Sequence, residues 1–112
     1  MLIDFGKIEN TAIKEFKGGK NITNIRMFVD SNNKIMLGKL ESDSSIGLHT
    51  HQTNSEIIYI LSGKGRVLFD GEYEELTAGS CHYCPMGHSH SLINNSDSDL
   101  VFFAVVPEHN IK

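Results

Sequence analysis

Five of the six histidines in this chain fall between positions 49 and 90, and four of them form two pairs of the type His-x-His. The first pair is His49-Thr50-His51 and the second is His88-Ser89-His90. Side chains alternate across a strand, so imidazoles two positions apart point the same way. After His51 come Gln52 to Ser55 and then Glu56, which heads the apolar run Ile57-Ile58-Tyr59-Ile60-Leu61. A carboxylate at the head of such a run is expensive to bury without a partner. A divalent cation supplies one. Glu56 is expected on the hairpin partner of the strand that carries His49 and His51, with a second His-bearing strand completing the group. Three imidazoles and one carboxylate suit one divalent transition metal ion, of which Zn, Mn, Fe, Ni, Co and Cu all qualify. Four protein ligands leave open positions on a five- or six-coordinate ion, as a working metal requires.

The elements that position these residues read as short strands. Apolar segments cover Ile22 to Val29, Lys34 to Leu40, Ile46 to His51, Glu56 to Leu61, Val67 to Phe69, Tyr73 to Leu76, Ser80 to Cys84, His88 to Asn94 and Leu100 to Val106. Turn-forming residues separate them, and this regular spacing predicts an all-β sandwich or barrel. Asp70-Gly71 reads as a two-residue hairpin turn with both residues at positive φ. Pro85-Met86-Gly87 reads as a type I turn closed by a left-handed glycine, again joining a hairpin. Residues 7–17 are expected to form a short helix ended by Gly18-Gly19.

Composition narrows the function. The 112 residues predict one domain, 39% hydrophobic and 21% charged, which suits a folded chain and not a disordered one. Ten Lys and Arg against 14 Asp and Glu leave a formal charge of -4 and no basic stripe, so nucleic acid is not an expected partner. The longest apolar run is far shorter than the ~20 residues of a membrane helix. No basic-then-apolar leader is visible at the N-terminus, so the expected location is the cytoplasm. Two cysteines exclude a disulfide framework. Cys81 and Cys84 are three apart on a strand, so their sulfurs diverge and the pair is not read as a redox site.

Residues 47–63 and 79–94 together resemble the two signature motifs of the cupin superfamily. In the first, His49-Thr50-His51 is followed by Gln52 to Ser55, Glu56, six residues and Gly63. In the second, Gly79 is followed by five residues, Pro85-Met86-Gly87, two residues, His90, three residues and Asn94. The 15 residues from Lys64 to Ala78 separate them. Ser80, Cys84 and Asp43 depart from the family's usual residues, none at a ligand position. The resemblance implies a small double-stranded β-helix, or jelly-roll barrel, over residues 1–112, and assigns His49, His51, Glu56 and His90 as metal ligands. His88 occupies an unconstrained position. It reads either as a rim histidine or, because strand alternation puts it on the face of His90, as a catalytic acid/base residue.

The resemblance implies a metal-dependent enzyme acting on a small polar, oxygen-rich substrate, of isomerase, lyase, decarboxylase or dioxygenase type. The alternative is a barrel that holds a sugar or small acid without turnover. His88, Tyr59 or Tyr83 approaching the metal favours the enzyme; a purely aliphatic pocket favours binding. His82 is expected to be structural or at the rim, and His109 solvated. Arg26 is expected on a solvated face or, alternatively, against an anionic substrate. The strands Ile57 to Leu61 and Val101 to Val106 are apolar on both faces, more than one small barrel covers, which predicts a homodimer.

Overall fold

The computed structural model describes residues 1–109. Ten strands run in chain order: β1 (Thr11–Lys14), β2 (Ile22–Val29), β3 (Asn33–Leu40), β4 (His49–Thr50), β5 (Glu56–Ser62), β6 (Lys64–Phe69), β7 (Glu72–Thr77), β8 (Cys81–Cys84), β9 (Ser89–Ile93) and β10 (Leu100–Pro107). Two single turns of 3₁₀-helix, Phe5–Lys7 and Phe16–Gly18, complete the regular structure. There is no α-helix among the described residues.

The strands form two antiparallel sheets in a jelly roll. One holds six strands in the order β1-β2-β3-β10-β5-β8, and the other holds four in the order β4-β9-β6-β7. No ladder joins the sheets into a closed cylinder among the described residues, so the architecture is a sandwich open at its edges rather than a sealed barrel. Alternation builds the core between them. On β5, Glu56, Ile58 and Ile60 are buried, while Ile57, Tyr59 and Leu61 are exposed. On β10, Leu100, Phe102, Ala104 and Val106 point inward. Val67, Leu76 and Leu92 meet them from the smaller sheet. Phe102 is fully buried opposite Gly38 on β3, where its ring fills the space a Cβ would take. Burying such a ring contributes about 1.5–3 kcal/mol.

The expected helix over residues 7–17 is not formed. Thr11–Lys14 pairs with Ile22–Ile25 as an edge strand, and Ile13 packs against the core. Glu15 and Lys17 take φ values of 50° and 57°, which no α-helix admits. Asp70 and Gly71 do take positive φ, 48° and 85°, and join β6 to β7 as a tight hairpin.

Two other expected hairpins are crossings between sheets. Glu56 is not on the hairpin partner of the His49–His51 segment: β4 pairs with β9, whereas β5 pairs with β10 and β8. Residues 52–55 carry the chain from the smaller sheet to the larger one. Pro85-Met86-Gly87 makes the reverse crossing, from β8 to β9. Glu56 therefore faces the imidazoles across the sandwich instead of lying beside them. Period-2 patterning fixes which face a side chain takes but not which sheet its strand joins.

Candidate metal centre

His49 opens β4 and lies opposite His90 on β9. His51 follows β4 and continues that ladder, its N–H donating to the His88 carbonyl and its carbonyl accepting from Gly87. From these positions the three Nε2 atoms converge. His51 Nε2 lies 3.0 Å from His90 Nε2, which lies 3.2 Å from His49 Nε2. Glu56 Oε1 enters from the opposite sheet, 3.1 Å from His51, 3.0 Å from His90 and 4.0 Å from His49. One ligand atom from each of the four residues fits within 4.8 Å of the others. His51, Glu56 and His90 are buried and His49 is half-buried.

The other ring nitrogens decide what these atoms present. His49 Nδ1 is 2.7 Å from the Gly47 carbonyl, which only accepts, so Nδ1 carries the proton. His51 Nδ1 donates to Asn54 Oδ1 at 2.6 Å. His90 Nδ1 is 3.1 Å from His82 Nε2, and His82 Nδ1 is 2.9 Å from Glu74 Oε1. A carboxylate accepts, so His82 Nδ1 carries its proton and His82 Nε2 is free to accept from His90 Nδ1–H. Each neutral imidazole thus turns a bare Nε2 lone pair toward the carboxylate oxygen of Glu56. Four lone pairs cannot face one another at about 3 Å without a positive charge among them, either protons or a metal ion. The donor set fits a divalent transition metal.

The electrostatics match. Burial works to raise the Glu56 carboxyl, but the imidazoles of His49, His51 and His90 outweigh it and hold the group well below the usual carboxylate range. The hydrogen bond to Glu56 raises His51 above its ordinary value. Burial lowers His90. One imidazole is thus disposed to hold a proton against Glu56, while another is disposed to stay neutral.

The backbone around His49 is tightly framed. A Cβ on Gly47 would lie 2.0 Å from the Lys17 carbonyl oxygen, so only glycine permits the turn at Phe16–Gly18 to dock there. The Gly47 N–H donates to the Phe16 carbonyl, leaving its own carbonyl for His49.

A pocket of about 620 Å³ opens above the cluster and is lined by His49, His51 and Glu56. Ile25, Met27, Met36 and Val106 of the larger sheet form its apolar wall, and Lys17, Lys34 and Glu9 supply charge. Its size falls in the small-molecule range.

The structure brings His49, His51, Glu56 and His90 together and leaves His88 outside that group. His88 Nδ1 hydrogen-bonds Asp70 Oδ2, the ring stacks on Phe69, and the side chain is 45% exposed. Neither His88, Tyr59 nor Tyr83 is on the pocket wall. Arg26 meets neither expectation: it donates to the carbonyls of Phe5 and Ile8 and ties down the N-terminal segment. His109 is exposed and bonded to Ser55 Oγ. Cys81 is exposed and Cys84 buried, both as free thiols. Burial pushes the Cys84 thiol up to about 11. Sequence reasoning missed Asn54 and the Glu74–His82 pair. The one signal for His82 was its inward position on β8, two residues before Cys84, which pairs with Glu56.

The sequence model of the Cupin domain family matches residues 36–106. An oxalate-binding protein from Thermotoga maritima is 33% identical over 95% of this chain and 93% of its own. The crystal structure of a predicted oxalate decarboxylase from Thermotoga maritima superposes with a TM-score of 0.90 at 30% identity, covering 96% of this chain and 99% of that one. The polyketide cyclase RemF from Streptomyces resistomycificus has a TM-score of 0.79 at 20% identity, covering 96% and 78%, which is a likeness of fold alone.

Proposed function

This chain belongs to the cupin family, and on that premise we propose that it holds one divalent transition metal ion on His49, His51, Glu56 and His90 and uses it to bind a small oxygen-rich anion of the oxalate class. The observation that carries the reading is the convergence of three Nε2 atoms on an ionised carboxylate. A bound dication supplies positive charge and coordination for carboxylate oxygens. The chain's own residues do the rest. Lys17 and Lys34 on the pocket add charge that draws an anion in, and the Ile25, Met27 and Val106 wall limits water around it. The oxalate-binding relative at 33% identity supports the ligand class.

Binding without turnover is the first reading: His88, Tyr59 and Tyr83 do not line the pocket, although Glu9, Lys17 and Lys34 keep its wall from being purely aliphatic. Turnover by a decarboxylase, lyase, isomerase or dioxygenase route is the second reading, supported by the 30% identity to a predicted oxalate decarboxylase. On that route His88 is the acid/base candidate.

Calorimetric titration of metal-stripped and Mn- or Zn-reloaded protein tests the reading. Oxalate should bind the reloaded protein and not the stripped one, bind more weakly to Lys17→Ala, and be matched by no response to glucose. Equal oxalate binding without metal, or glucose binding in place of oxalate, overturns it.

The outer face of β5 carries Ile57, Tyr59 and Leu61, with Tyr83 beside Ile57 on β8, each 40–55% exposed. We propose that a second copy of the chain covers this face. Light scattering at micromolar concentration should give a dimer mass; a monomer mass refutes it. An exposed free thiol at Cys81 suits a reducing cytoplasm, the location we propose.

A further inference from the structure

Outside the four-residue cluster, the His82 imidazole is buried directly behind His90. Its side chain is 1% exposed, and it bridges two partners. Nδ1 meets Glu74 Oε1 at 2.9 Å, and Nε2 meets His90 Nδ1 at 3.1 Å. The two rings lie edge to edge, within 29° of coplanar and with centroids 5.3 Å apart, as an in-plane hydrogen bond requires, and Phe69 packs against His82 edge-on at 5.4 Å. Nothing in the ligand group requires a second histidine behind His90; a backbone carbonyl serves His49 and a side-chain amide serves His51.

We infer that Glu74 and His82 act as a positioning pair that fixes the tautomer of His90. The inference rests on the metal reading above and adds two residues to it. The logic is directional. Imidazole is ambivalent: as a neighbour it either accepts or donates, so His82 alone would leave His90 free to carry its proton on either nitrogen. Glu74 removes the ambiguity. An ionised carboxylate accepts only, so it places the His82 proton on Nδ1. His82 Nε2 then accepts only, and the His90 proton goes to Nδ1. His90 Nε2 is left bare toward His49, His51 and Glu56. The reverse arrangement would aim a lone pair of His82 at the Glu74 carboxylate and a proton of His90 into the ligand group. Of the three imidazoles, His90 is the one whose orienting acceptor is itself a titratable ring. Glu74 sits at the surface end of this relay, with its side chain 47% exposed.

The test has two readouts. Histidine ¹⁵N–¹³C NMR of the metal-free protein at pH 8 reports the tautomer, and competition titration with Zn reports affinity. In wild type, His90 should be protonated at Nδ1. His82→Phe keeps a ring against Phe69 and removes the acceptor; it should mix the His90 tautomers and weaken Zn binding by about 10- to 100-fold. His82→Gln restores an acceptor near the Nε2 position and should recover most of the affinity, which a purely packing role would not allow. Glu74→Gln, at a half-exposed site that leaves folding intact, should shift His82 toward its other tautomer and weaken Zn binding by a smaller factor. An unchanged His90 tautomer in both His82→Phe and Glu74→Gln overturns the inference, even if Zn binds wild type well. A wild type that fails to bind Zn, yet shows these tautomer shifts, overturns the metal reading and leaves the positioning pair standing.

Discussion

His49-Thr50-His51 and His88-Ser89-His90 have the same spacing and lie on the same ladder, with His49 opposite His90 and His51 bonded to the backbone of His88. Yet the first pair delivers both rings to one centre and the second delivers only His90. The difference lies in what each Nδ1 finds. His49 finds the Gly47 carbonyl, His51 finds Asn54 and His90 finds His82, all of which turn Nε2 inward. His88 finds Asp70 and stacks on Phe69 at the surface. Spacing places backbones in register, while acceptors for the second ring nitrogen decide which rings become ligands.

Removing a converging ring should have the largest effect. His51→Ala or His90→Ala deletes one of four donors and leaves Glu56 buried with fewer partners. Metal affinity should fall by on the order of 100-fold or more, read by competition titration against a chelator. Stoichiometric metal after dialysis of the double variant would break the comparison outright.

Proton competition comes next. In the metal-free protein Glu56 is held well below 4.5, so it stays ionised from pH 5 to pH 9 and contributes no slope there. His90 is lowered from 6.5 by burial and is already neutral above that value. His51 is raised above 6.5 by Glu56, so it keeps its proton to higher pH than a free imidazole, and a metal must displace that proton. Apparent affinity should therefore climb by about tenfold per pH unit while one proton is released, and flatten above the raised His51 value. Titrations at four pH values between 6 and 9 check the slope. A flat profile across pH 6 to 8 would mean that Glu56 does not raise His51.

Asn54→Ala leaves the His51 ring in place and removes its orienting acceptor. A loss of about tenfold in metal affinity is expected, smaller than deleting the ring and larger than any change at His88. Asn54→Asp supplies an oxygen acceptor again and should restore most of it.

The same contrast explains how much was legible in the sequence. The boundaries of β2 were read to the residue, whereas β5 and β10, apolar on both faces in the sequence, did not reveal which alternate set turns inward. Spacing pointed to His49, His51 and Glu56 with a second His-bearing strand, and the motif positions selected His90 over His88. Asn94, the last motif position, turns out to be a brace: its buried amide donates to the carbonyls of Leu40, Glu41 and Ser98. The sheet to which each strand belongs was not legible. A four-residue connection such as 52–55 serves a hairpin and a crossing equally well, and only the competition of β10 for β5 decides between them. The edge strand β1 was misread because Thr11, Ala12, Ile13 and Lys14 carry little periodic signal, and the ladder to β2 overrides it. His82 escaped because its role depends on Glu74 across another strand, a pairing that spacing along the chain does not encode.

The smallest expected effect belongs to His88, and it sharpens the comparison most. His88→Ala removes a ring bonded to an exposed carboxylate and stacked on Phe69, and touches none of the four clustered side chains. A solvent-exposed contact of this kind contributes little to stability, and salt screens its electrostatic part further. Metal affinity should stay within about twofold of wild type, since no donor and no orienting acceptor is lost. If the protein only binds its anion, oxalate affinity of the metal-loaded variant should also be unchanged. If the protein turns that anion over and His88 moves a proton, the rate falls while metal and ligand affinities hold, a split that steady-state kinetics separates from misfolding. A large loss of metal in His88→Ala would mean that the second pair acts as the first does, with both of its rings serving the centre, and the distinction drawn from the Nδ1 partners would fail.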